Sequence, residues 1–166
     1  MDVAFLRYFI LEDSKSERKR IFSTAFLTIF MTGLCFSLGL FLFNESVSQL
    51  VFRSRDFGRL IQLASFILLA DALVLIPFLI LRAQEKSGWF TFLKFINVAG
   101  NFGFNLLFLG LLNKGVEGIF YANAAASALS LVTVIPIILQ WIKPGIVKNH
   151  LKNLLSFGLP YVPSAL

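Results

Sequence analysis

Long apolar runs alternate with short polar breaks along the whole chain. Residues 21–43 carry no charge, residues 60–81 carry only Asp71, residues 89–112 only Lys94, and residues 116–141 only Glu117. A helix rises 1.5 Å per residue, so about 20 apolar residues cross a bilayer. Each run is that long, and the pattern predicts four transmembrane helices. Residues 1–11 are apolar and aromatic but short and broken by Arg7, so they read as the end of a span. Residues 154–166 turn apolar again and read as the start of another. Between the first two full runs, Val47, Leu50 and Val51 recur at helical spacing within residues 44–58. That spacing suits a short amphipathic helix in the membrane interface or a structured loop.

Composition agrees. Of 166 residues, 57% are hydrophobic and 14% charged, with a mean hydropathy of +0.80. An average soluble domain has about a quarter charged residues, so an ordinary soluble fold and a disordered chain are both excluded. The expected class is all-α, a polytopic bundle of transmembrane helices.

The net charge of +6 is a topology signal rather than a nucleic-acid footprint. Nine of the 15 Lys and Arg fall in the loops 12–20, 82–88 and 142–153. Arg53, Arg55, Arg59 and Lys114 fall in the alternate breaks at 44–59 and 113–115. The positive-inside rule puts the richer set, which includes Lys148, in the cytoplasm.

Chemistry is sparse. The lone His150 and lone Cys35 offer no metal-ligand spacing. No paired carboxylates lie within a run, and Gly100-Asn101-Phe102-Gly103 follows no strand, so it is no nucleotide loop. Nothing points to an enzyme, a cofactor or a metal.

The informative residues are the polar ones at depth. Asp71 costs about 2.5–3.5 kcal/mol near mid-bilayer on insertion scales and should face protein or water. It reads either as a cavity-lining or proton-carrying group or as a structural hydrogen-bond partner. Asn97, Asn101 and Asn105 are spaced i, i+4, i+8 on one broad face, with Lys94 one turn earlier. Counted along the helix, Asn97 and Asn101 lie roughly 12 and 18 Å from the basic end of their run, and Asp71 roughly 15 Å from its own. The three share a level. The stripe reads as a hydrated lumen or as interhelical glue at about 0.6 kcal/mol per contact. Lys94 and Arg7 sit a few residues from the same edge and either snorkel to headgroups or reach inward, to a phosphate or to Asp71. Asn123, Ser127 and Ser130 share a face among Ala122, Ala124, Ala125, Ala126 and Ala128, which favours close helix packing.

Four pieces of the chain resemble known sequences. They are MDVAFLRYF (Asp2, Ala4, Arg7, Tyr8), the run Leu81-Arg82-Ala83 before a short basic loop, the turn LLNKGVEGIFYAN (Gly115, Val116, Glu117, Gly118), and SFGLPYVPSAL. In that order they resemble Wzx-type polysaccharide flippases of the multidrug/oligosaccharidyl-lipid/polysaccharide exporter superfamily. The resemblance implies part of one six-helix lobe of a MATE-like transporter. It assigns residues 1–11 to the end of the second span, 21–43, 60–81, 89–112 and 116–141 to the third through sixth, and 154–166 to the start of the seventh. It further implies that the chain is an N-terminal-lobe fragment and that residues 1–166 alone do not transport.

By the same resemblance the function would be movement of a lipid-linked oligosaccharide, of undecaprenyl-pyrophosphate type, across the cytoplasmic membrane of a bacterium or archaeon by alternating access. Arg7 and Lys94 would meet phosphate. Asn97, Asn101 and Asn105, with Asn123, would line the sugar path, and Asp71 would tune it. Glycan polymerases or glycosyltransferases are the implied partners besides the bilayer. The alternatives are a drug/cation antiporter of the same superfamily, a non-transporting scaffold of a glycan-synthesis complex, or a membrane glycosyltransferase. The last would show clustered acidic residues, which this chain lacks.

Overall fold

The computed structural model describes residues 2–143, 145, 147, 150–152, 154 and 156. The described residues are helical, without strands. In chain order they form α1 (Asp2–Leu11), α2 (Lys15–Leu42), α3 (Asn44–Phe52), α4 (Gly58–Ala83), α5 (Ser87–Asn105) running into a π-helical turn (Leu106–Leu111), and α6 (Gly115–Trp141). Helices α2, α4, α5 with its π turn, and α6 are long and apolar enough to cross a membrane. Of residues 154–166, where the seventh span was expected to open, all but Leu154 and Ser156 lie outside the described residues.

Two features depart from the pattern of apolar runs. Helix α2 begins at Lys15, so most of the charged loop expected at 12–20 is the first turns of that helix. Lys, Glu and Arg are good helix formers, and Arg20 and Glu17 pair at 3.2 Å across one turn. The loop between α1 and α2 shrinks to residues 12–14. The third run is not one straight α-helix either. After Asn105 the backbone widens, and Leu112 N–H donates to Leu107 O at 2.9 Å, five residues back. The turn that follows uses positive φ at Asn113 and Gly115, conformations that Asn and Gly adopt most readily. Residues 44–52 form the short helix α3.

Helix α4 is the hub. It packs against α1, α2, α3, α5 and α6, while α5 lies mainly on α6. The α2–α4 seam is close because Gly33 lies against Ala72 and because Ser37 Oγ donates to Ser65 O at 2.8 Å. Lipid gives no hydrophobic drive between helices, so small residues and hydrogen bonds hold such seams. Along α2, Thr24, Thr28 and Thr32 each donate to the carbonyl four residues earlier, which satisfies their hydroxyls within the helix. On α6, Ala122, Ala126, Ser127 and Ser130 are all buried.

The tightest packing is at one end. Phe5, Phe9, Phe22, Ile76, Ile80 and Trp141 pack into a core there, beside a second cluster of Val74, Phe78, Leu81, Leu93 and Val134. The three basic segments meet at this end: Lys143 Nζ bonds Ser16 Oγ at 3.1 Å, His150 faces Glu17 at 3.1 Å, and Lys86 borders one cavity together with Lys15 and Lys19. Large apolar side chains such as Phe36, Leu42, Phe95 and Leu111 project outward. A soluble protein does not display such a surface, whereas lipid accommodates it.

Candidate functional site: a polar slot between three helices

The faces of α4, α5 and α6 enclose an open slot of about 350 Å³ that runs inward from the basic end. Helix α4 contributes Asp71, Leu75, Phe78 and Arg82, spaced i, i+4, i+7, i+11 along one face. Helix α5 contributes Phe90, Lys94 and Asn97, again one helical face, and α6 contributes Ser130. The volume falls within the range of small-molecule sites.

The slot is graded. Arg82 and Phe90 sit at its mouth, in the last turn of α4 and the first of α5. Phe78 and Phe90 meet edge-to-face at 5.8 Å between ring centres. A cation lies over each ring: Arg82 over Phe90 at 5.4 Å and Lys94 over Phe78 at 5.0 Å. Cation and ring therefore alternate along the wall, and each contact contributes about 0.5–1 kcal/mol where exposed. No ion pair joins Lys94 to Asp71 among the described residues, so the sharper pairing weighed from sequence is not made.

At the inner end, about 15–18 Å from the helix ends by residue count, the lining consists of the Asp71 carboxylate and the hydrogen-bonding groups of Asn97 and Ser130. Ser127 Oγ donates to Asp71 Oδ1 at 2.7 Å, bridging α6 to α4. Asn97 Nδ2 donates to Ser130 Oγ, bridging α5 to α6, and Ser130 passes its own hydrogen to Ala126 O at 2.9 Å. Asp71 is an exposed carboxylate with one of its oxygens held.

The other candidates lie outside the slot lining. Asn101 Nδ2 donates to Asn123 Oδ1 at 2.7 Å, and Asn105 Nδ2 donates to both Asn101 O and Asn101 Oδ1, at 2.8 and 2.9 Å. These three residues form a run of hydrogen bonds behind and beyond the slot. Arg7 is exposed on α1. The structure thus gathers Asp71, Lys94 and Asn97 and separates them from Arg7, Asn101, Asn105 and Asn123.

Sequence reasoning missed Phe78, Phe90 and Arg82, and gave Ser127 and Ser130 only a packing role. The signal was present as the seven- and eleven-residue steps from Asp71 to Phe78 and Arg82. It was hidden because α4 is apolar on every face. Among the described residues no group of His, Cys, Asp or Glu could hold a metal ion.

A family model described as polysaccharide biosynthesis protein matches residues 6–166. No curated protein and no solved structure matches the chain.

Proposed function

The chain belongs to this polysaccharide biosynthesis protein family, and from that premise we propose that it acts in the membrane transport of a lipid-linked oligosaccharide by alternating access, rather than as an enzyme. The observation that carries the reading is the graded slot. Cations line its outer part, Arg82 at the mouth and Lys94 further in, and hydrogen-bonding groups lie at depth in Asp71, Asn97 and Ser130. A phosphate-bearing carrier with a sugar head presents a matching order of groups. Intramembrane ionisable residues mark substrate paths often enough to make this the working assignment, and binding near mid-depth suits alternating access.

In this reading Lys94 and Arg82 meet phosphate, Asp71 and Asn97 meet sugar hydroxyls, and Asn101, Asn105 and Asn123 hold the wall. The basic end faces the cytoplasm, and partner enzymes of glycan assembly supply the substrate from that side. The test is deletion of the gene followed by chemical analysis of membrane lipids. Lipid-linked oligosaccharide is expected to accumulate on the inner face, with surface glycan restored by the wild-type gene but not by Asp71→Leu. Normal surface glycan in the deletion strain would sink the proposal.

A further inference from the structure

A second pair of cavities lies at the basic end and shares no lining residue with the slot. The first, of about 420 Å³, is bounded by Lys15, Arg18 and Lys19 of α2 and by Lys86 of the α4–α5 turn. One acid, Asp13, faces these four cations, and the amides of Gln84 and Gln140 complete the polar lining. The second, of about 360 Å³, runs between α4, α5 and α6 and shares Gln84, Lys86, Gln140 and Trp141 with the first. Its remaining lining is mainly apolar, with Ile80, Leu81, Leu93, Pro136 and Ile137. Trp89 flanks it and is 63% exposed.

We propose that this pair is a binding site for an anionic glycerophospholipid of the adjacent leaflet, with the headgroup phosphate in the basic pocket and an acyl chain in the apolar groove. Each half needs the other to explain it. A soluble phosphate uses the cations but leaves the groove idle. A neutral lipid uses the groove but leaves four cations against one carboxylate uncompensated. An amphiphile with a negative head satisfies both. Depth agrees: the Lys and Gln side chains lie at helix ends, and the tryptophans sit where indoles settle at the membrane interface. Basic pockets between transmembrane helices recognise anionic headgroups through this same charge complementarity. The site does not depend on the transport reading, because its occupant is a lipid of the bilayer itself.

The test uses the purified full chain in bilayer nanodiscs. The chain's two tryptophans, Trp89 and Trp141, both line the groove, and bromine on an acyl chain quenches indole fluorescence on contact. Brominated phosphatidylglycerol should quench more strongly than brominated phosphatidylcholine at equal mole fraction. Lys86→Gln, in an exposed turn, should weaken that preference about fivefold, and adding Lys15→Gln should weaken it about fivefold again, from the effect of one Lys near an anionic surface. Arg53→Gln with Arg55→Gln, at other loops, should leave it unchanged. Equal quenching by the two lipids would overturn the proposal, as would an undiminished preference in the Lys variants. Millimolar inorganic phosphate abolishing the preference would reassign the pocket to a soluble anion. Polyprenyl phosphate displacing phosphatidylglycerol at equimolar amounts would reassign it to a carrier lipid, and either result defeats the assignment.

Discussion

Asn101 and Asn123 face each other across the α5–α6 seam, with Asn101 Nδ2 donating to Asn123 Oδ1 at 2.7 Å. Asn105 Nδ2 donates in turn to Asn101 Oδ1 at 2.9 Å. These amides spend their hydrogen bonds on one another. Asn97, one turn earlier, instead reaches Ser130 at the inner end of the slot. A stripe that is uniform in sequence therefore divides into a structural part and a lining part.

The division predicts different phenotypes. Asn101→Leu and Asn123→Leu should each lower thermal stability while leaving transport largely intact. Their double-mutant coupling should be about 0.6 kcal/mol and no more than about 1.7. Asn97→Leu should reduce transport of lipid-linked oligosaccharide by more than tenfold at similar stability. Transport lost equally in all three variants would show that the whole stripe meets substrate.

Asp71 should behave as a group kept at a cost. Its carboxylate opposes insertion by about 2.5–3.5 kcal/mol, so Asp71→Leu should raise helix insertion efficiency in a translocon assay. The same change removes the acceptor of the Ser127 hydroxyl and should abolish transport. Asp71→Asn keeps an acceptor oxygen for Ser127, so it should preserve stability and separate the need for charge from the need for a bridge. Full transport by Asp71→Leu would leave the carboxylate without a functional role.

Much of this architecture is legible in sequence because lipid is an intolerant solvent. A run of about 20 residues with one charge has few alternatives to a spanning helix. The start of α2 is less legible, since Lys15 to Arg20 show no apolar period and are helical through propensity and local pairing. The π turn after Asn105 is invisible because Leu106 to Leu111 suit an α-helix equally well by composition. The slot is half legible. Asp71, Lys94 and Asn97 stand out as polar residues in apolar runs, whereas Phe78 and Phe90 are two aromatics among the chain's 20 Phe. Only the fold shows that cations lie over these two rings.

The alternating wall makes a further prediction. Phe78→Leu removes the ring beneath Lys94 Nζ and should cost about 0.5–1 kcal/mol from the cation–π contact. Packing losses add to that figure, because Phe78 belongs to the buried cluster with Leu93 and Val134. Phe78→Tyr keeps a π face and should retain most of the contact. If phosphate meets Lys94, then Lys94→Met should impair transport more than Lys94→Arg. Equal transport by the two Lys94 variants would indicate that the charge only snorkels.

Two glycines on the α5–α6 side should respond oppositely to alanine, because different atoms stand in the way. A Cβ on Gly100 would lie 2.8 Å from Leu129 Cδ2, the free end of a flexible side chain that can rotate aside. A Cβ on Gly118 would lie 3.1 Å from the backbone oxygen of Phe108, which already accepts a hydrogen bond from Lys114 N–H at 3.0 Å. That carbonyl is within the π turn and cannot move without disturbing it. Gly100→Ala should therefore be nearly neutral in thermal unfolding. Gly118→Ala should cost about 1–3 kcal/mol, the usual range for overpacking, and should increase amide exchange around residues 106–114. Equal costs at the two positions would mean that the π turn yields as easily as a leucine rotamer.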